Sequence, residues 1–171
     1  MRAAGRAFPI FVMVVGAAVL GAVLLAQYWG GLAPCELCLK ERWPWAVAIV
    51  IAFVAVLTGS RPAMPWVALL LAAVFAVSTA LAFYHVGVEK HWFEGPSACT
   101  ATADTPTTLA QLAAQLRHQQ PVRCDEPAWS LIGVSLAGWN LVASLVMTGF
   151  CLAALIRRRG RAPARIGSGI R

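Results

Sequence analysis

A chain of 171 residues that is 60% hydrophobic and 12% charged, with a mean hydropathy of +0.71, carries more apolar surface than a water-soluble domain of its size can bury. That excludes an ordinary soluble globule and makes the bilayer the expected solvent. The net charge of +7 does not point to nucleic acid, because most of the excess lies in the tail "RRRGRAPARIGSGIR", where membrane topology and anionic lipid account for it.

Four stretches, 8–28, 43–58, 65–88 and 127–156, carry no charged residue over roughly the ~17 to 25 positions a helix needs to cross a hydrocarbon core. They predict an all-α integral membrane protein, a bundle of four transmembrane helices at about 8–28, 43–59, 65–88 and 129–156, joined by outer loops at 29–42 and 89–128. Arg2 and Arg6 ahead of the first stretch give it the basic start of a signal peptide, but its apolar run exceeds the ~7 to 15 residues of such segments. Residues 1–156 read as one transmembrane domain. The tail 157–171, with glycine and proline and no apolar period, predicts disorder.

Charge orients the bundle. The segments holding Arg2, Arg6, Arg61, Arg157, Arg158, Arg159, Arg161, Arg165 and Arg171 contain nine bases and no acid, whereas the two loops hold all seven acids against five bases. Lysine and arginine in short loops stay on the cytoplasmic side. Both termini are therefore expected inside and both loops outside.

The first loop ends in "PCELCLKERWPW", with Cys35 and Cys38 three positions apart. Pro34 can start a helical turn and place Cys35 at its N-terminus, where unpaired N–H groups favour a thiolate. Arg42 follows Cys38 by four residues, one helical turn, while Pro44 disfavours helical geometry at Trp43 and predicts a break before the second helix. Glu36 and Glu41 oppose a thiolate by Coulomb repulsion.

The second loop contains Cys99 and Cys124, and Leu109, Leu112, Ala113 and Leu116 mark the face of a short helix on the membrane surface. Four loop cysteines allow three pairings, which sequence alone does not choose among, although proximity favours Cys35 with Cys38 and Cys99 with Cys124. A three-residue step is a poor staple. A zinc site normally repeats close pairs, unlike the 25 positions between Cys99 and Cys124. Redox chemistry suits the pattern better, and the natural lipid-soluble two-electron acceptor beside such a pair is a quinone. His85 falls at the same depth as Cys38, near that acceptor.

Trp29, Trp43, Trp45, Trp66, Trp92 and Trp129 lie near helix ends as an interfacial belt. Asn140, inside the fourth helix, requires a partner on another helix. Cys151 falls in an apolar run and is expected only to pack.

Taken together, "CELCLKERWP", "FYHVGVEKHWFEGPSAC" and "VRCDEPAWSLIGVSLAGWN" resemble the disulfide bond formation protein B (DsbB) family, in motif order, helix number and both outer loops. The resemblance implies a bacterial inner-membrane enzyme that reoxidises a periplasmic, thioredoxin-like DsbA-type dithiol oxidase and passes the electrons to the membrane quinone pool, ubiquinone or menaquinone, with no metal. It implies disulfides Cys35–Cys38 and Cys99–Cys124 on the periplasmic side. The partner would attack Cys99, the freed Cys124 would attack Cys35, and Cys38 would be left as the thiolate facing the quinone, held by Arg42 with His85 near the ring. A vitamin K epoxide reductase-like protein also carries a C-x-x-C and a loop pair, but that family resemblance places the C-x-x-C late in the bundle. A third reading is a non-enzymatic membrane protein whose loops are merely stapled.

Overall fold

The computed structural model describes residues 3–59, 62–96, 108–110 and 123–159. Four helices dominate them: α1 (Ala3–Tyr28), α2 (Glu36–Thr58), α3 (Met64–Glu89) and α4 (Leu136–Arg159). A minimal antiparallel hairpin, β1 (Ser130–Leu131) and β2 (Val134–Ser135), precedes α4. The apolar spans of the helices are 22 to 26 residues long, about 33 to 39 Å at ~1.5 Å per residue, enough for a ~30 Å hydrocarbon core. The chain is a multi-pass membrane protein, as its composition predicts.

α1 packs on α2, α2 on α3, and α3 most extensively on α4. Between lipid tails the hydrophobic effect does not drive helices together, so small residues that permit close backbone approach do much of the work. Ala48 and Ala52 of α2 and Ala68 and Ala72 of α3 are buried in one cluster with Val12, Leu71, Phe75 and Met147. Gly16 of α1 belongs to the same device: a Cβ there would stand 2.8 Å from the Ile49 side chain. Val14, Val50, Phe53, Val54 and Leu57 point outward and are exposed, the surface that lipid would cover.

Two helix starts differ from the expected ones. α2 begins at Glu36, ahead of position 43, because Cys35 adopts an extended conformation (φ −74°, ψ 172°) and its sulfur accepts the Cys38 N–H, capping the first turn. Pro44 does not break the helix. The ring removes one donor, and tertiary packing around the buried Trp45 and Ala48 carries the helix through.

α4 begins at Leu136 instead of 129. The residues before it form the hairpin, whose turn puts Ile132 (φ 55°) and Gly133 (φ 76°) both at positive φ, the requirement of a type I′ connection. Ser135 then accepts the Gly138 N–H at 3.1 Å, starting α4, and donates to the Glu89 carboxylate at the end of α3. The predicted surface helix with Leu112, Ala113 and Leu116 lies outside the described residues, as does Cys99.

Candidate functional site

The first turns of α2 present Cys38, Glu41, Arg42 and Trp45, spaced i, i+3, i+4 and i+7, on one side of the helix. Cys35, at the cap, and Cys38 are free thiols with their sulfurs hydrogen-bonded at 2.8 Å. The bond between them that the family resemblance implies is thus open here, the dithiol form of the pair. Cys35, Cys38 and His85 each offer one potential ligand atom, and the three lie within 4.8 Å of one another.

Cys35 is buried, and burial by itself raises a thiol pKa. Here its sulfur is hydrogen-bonded to the Cys38 sulfur at 2.8 Å, the Cys38 N–H caps it at 3.2 Å and His85 Nε2 stands 3.6 Å away. The result is a Cys35 thiol pushed down to about 4, chiefly by the Cys38 hydrogen bond. Glu36, which repels a thiolate, is itself paired with Lys40 at 2.6 Å one turn on, so its charge is offset locally.

His85 reaches Cys35 from α3. Its Nδ1 lies 2.7 Å from Glu41 Oε1. This contact joins the imidazole of α3 to a carboxylate of α2. Glu41 Oε2 accepts from Asn140 Nδ2 at 2.6 Å, and Asn140 Oδ1 accepts from Trp45 Nε1 at 2.9 Å. Both oxygens of a carboxylate that is 7% exposed are therefore bonded, which is what a buried acid requires. The partner that Asn140 demanded on another helix is found on α2.

A cavity of about 410 Å³ opens beside this network. Its wall is largely apolar, with Val19, Leu20 and Val23 of α1 and Trp139 of α4, and its polar atoms come from Gln27, Cys38, Glu41, Arg42 and Asn140. Arg42 donates to Gln27 Oε1 at 2.7 Å. Cys38 lines this cavity and Cys35 does not. Cys35 packs instead in a separate cluster with Leu37, Val88 and Cys124. Cys124 is buried and disulfide-bonded. The expected Cys99–Cys124 pairing falls outside the described residues, since Cys99 does.

Cys124 is flanked by an exposed clamp in which Arg123 grips Asp125 through both guanidinium arms and holds its carboxyl below the usual range.

His85 lies between α3 and α2, with Cys35 facing Nε2 and Glu41 facing Nδ1. Two sequence expectations change. Trp45 is not part of an interfacial belt: it is 1% exposed, edge-on to Phe75, while Trp29, Trp43, Trp66 and Trp92 are more than half exposed. Glu41, read as a source of repulsion, is the partner of His85. The spacing of Cys38, Glu41 and Trp45 was the available signal for it. Gln27, the polar residue at the end of an apolar run, was the signal for the Arg42 partner. Cys151 is fully buried in the apolar core, as expected.

A thiol pair held at the head of a spanning helix, half facing a loop cysteine and half facing a cavity between helices, defines a membrane protein built around cysteine chemistry. The model of the family "Disulfide bond formation protein DsbB" matches residues 5–154, and the chain belongs to that family. Among curated relatives, Disulfide bond formation protein B 2 of Pseudomonas putida is 30% identical over 94% of this chain and 96% of its own length. Disulfide bond formation protein B of Aromatoleum aromaticum is 27% identical over 91% and 95% respectively. Disulfide bond formation protein B of Azoarcus is 29% identical over 78% and 83%. No solved structure matches the chain.

Proposed function

We propose that this protein is a dithiol:quinone oxidoreductase of the bacterial inner membrane that reoxidises a periplasmic, DsbA-type thioredoxin-like protein. The observation that carries the reading is the order of groups: Cys124 and Cys35 in one buried cluster, Cys38 against Cys35, and Cys38 and Arg42 on the wall of the cavity. In this reading 1–156 is the catalytic transmembrane domain, 157–171 a basic cytoplasmic tail, and both loops are periplasmic.

The cavity suits a quinone. A ring with two carbonyl oxygens and an isoprenoid tail needs an apolar slot with a few hydrogen-bond donors at one end, and the apolar wall with Arg42 and Gln27 supplies that. Ubiquinone and menaquinone meet the same requirement. When bound, the quinone supplies a sink for two electrons and two protons.

The chain's own residues do the rest. Cys99, outside the described residues, receives the partner's thiolate, and the mixed disulfide releases Cys124. Cys124 then attacks Cys35 within their shared cluster, breaking the Cys35–Cys38 bond of the oxidised enzyme and leaving the electron pair on Cys38 at the cavity. The contacts that lower the Cys35 thiol in the open pair stabilise negative charge at this helix end. Arg42, permanently charged, orients the ring and offsets charge that develops beside Cys38. No metal is required.

The test is turnover by purified protein with a reduced DsbA-type dithiol and quinone. Wild type is expected to oxidise the dithiol only when quinone is supplied, and Cys38→Ser to lose that reaction. Full turnover by Cys38→Ser would sink the reading. The order of exchange is checked by trapping the partner with a Cys124→Ala variant and mapping the linked cysteine, expected to be Cys99.

A further inference from the structure

In its reduced state the thiol pair at the head of α2 has a second chemistry open to it. Three donors from two helices face one another there, the sulfurs of Cys35 and Cys38 and a ring nitrogen of His85, all within 4.8 Å. We propose that the reduced protein binds a thiophilic divalent cation, of the zinc and cadmium class, between these three side chains, and that the bound cation arrests turnover. The arrest rests on the functional reading above, and the site itself does not.

Thiolate and imidazole are the ligands such ions select. Nε2 of His85 stands 3.6 Å from Cys35 Sγ, the separation of roughly 3.6 Å that a nitrogen and a sulfur adopt on one tetrahedral zinc. Two sulfurs on the same ion stand roughly 3.8 Å apart, against 2.8 Å here. Cys38 therefore has to swing about 1 Å away from Cys35 to complete the tetrahedron, and it lines a cavity into which it can move. Leu32, Ala33 and Pro34 of the first loop line that cavity too, which gives the ion a route from the loop side.

The surroundings supply what a ligating histidine requires. Its second ring nitrogen, Nδ1, lies 2.7 Å from Glu41 Oε1. Metal-bound histidines characteristically donate their other N–H to a carboxylate, which fixes the ring and raises its basicity. With the ion on Nε2 the ring's proton is on Nδ1, and Glu41 is placed to accept it. Asn140 donates to the other Glu41 oxygen, and Trp45 donates to Asn140, so the carboxylate is aimed. The C-x-x-C of α2 thus gains its third donor from α3 and its outer support from α4.

Binding forms two metal–sulfur bonds and one metal–nitrogen bond, with water in the fourth position and no change of oxidation state. Two protons leave the three ligands, and the cation's two charges offset those of the two thiolates, so this half-buried site gains no net charge. With both sulfurs on the metal, neither is free to close the Cys35–Cys38 bond, and the electron pair stays where it is.

The experiment uses full-length protein carrying Cys99→Ala and Cys124→Ala, so that the loop pair contributes no ligand. Reduced protein, freed of reductant, is titrated with cadmium and read by the ultraviolet thiolate-to-cadmium charge-transfer band and by proton release. A second arm follows single-turnover quinone reduction by the reduced protein, without partner, with and without zinc. Wild type is titrated alongside its Cys38→Ser variant, which is expected to take up one ion fewer.

One cadmium per chain with two protons released is expected, and none after the pair has been oxidised with diamide. Glu41→Gln is expected to weaken binding about tenfold with the same two-thiolate band, the scale of a lost outer partner, and His85→Ala by more than about 100-fold. Zinc is expected to abolish quinone reduction and a chelator to restore it. No binding by the reduced protein, or an affinity unchanged in Cys38→Ser or His85→Ala, overturns the site. Zinc-loaded protein that reduces quinone at the metal-free rate overturns the arrest. Metal-free protein that never reduces quinone overturns the functional reading and the arrest with it, while the cadmium titration decides the site by itself.

Discussion

Cys35 and Cys151 are both buried free thiols, 5% and 0% exposed, and they have almost nothing else in common. Cys151 sits inside α4 among Phe8, Met147 and Leu155, where the N–H groups of the surrounding turns are spent on the helix itself. Cys35 sits at the head of α2, where the N–H of the third residue is available to its sulfur, and His85 and Cys38 add two further polar contacts. Burial is therefore not what distinguishes a reactive cysteine from a packing one. The number of donors aimed at the sulfur is, and a helix N-terminus supplies one without any special side chain.

The sharpest way to test this contrast is to remove one thiol from each environment. Cys38→Ser, which leaves Cys35 without its redox partner, is expected to lower dithiol-dependent quinone reduction by ~10³-fold or more, the scale of losing an obligatory covalent group. Residual turnover near wild type would break the comparison at its functional end.

Next in size is Arg42, which serves the Cys38 side of the pair. Arg42→Gln is expected to raise the quinone KM about tenfold, corresponding to ~1.4 kcal/mol, and Arg42→Lys to recover it only in part, because an ammonium lacks the planar fork. Steady-state rates at varied quinone concentration read both.

The pH dependence follows from the direction of the Cys35 shift. A depressed pKa means the thiolate is populated above the folded value and is lost as pH falls through it, so labelling of Cys35 in the reduced protein should stay near its maximum down to about pH 5 and halve near 4. Cys151 should remain unlabelled across that range until the protein is unfolded. A Cys35 midpoint near the ordinary ~8.5 of a free thiol would erase the distinction between the two sites.

The smallest effect belongs to Cys151→Ala. Activity is expected to be unchanged, and stability to fall by about 1 kcal/mol for the small volume lost from the core, seen as a modest drop in Tm. A large activity loss in this variant would show that the core thiol is not merely packing.

Much of this architecture was legible before any coordinates. Charge-free runs of spanning length are local signals, as are a C-x-x-C after proline and an arginine four residues beyond it. Helix starts were less legible. Hydropathy dates α2 from where the charges stop, but a helix begins where its first N–H groups find partners, and Cys35 supplies one eight positions earlier. The same holds for α4, delayed by a hairpin whose turn residues, Ile132 and Gly133, lie inside an uncharged stretch.

The sequence by itself determined the number of spans, the two loops with their cysteines, and the chemistry concentrated in 34–45, because each depends on residues close together in the chain. Only the tertiary structure decided which side chains meet. A helix that is apolar nearly all round carries no periodic mark of its packed face, so nothing local states that α3 turns His85 onto Cys35 and Glu41, that Trp45 is core rather than interface, or that Cys38 faces a cavity which Cys35 does not. Those facts follow from the rotation of α2, α3 and α4 about their own axes, set where small residues and a few buried hydrogen bonds let the backbones close.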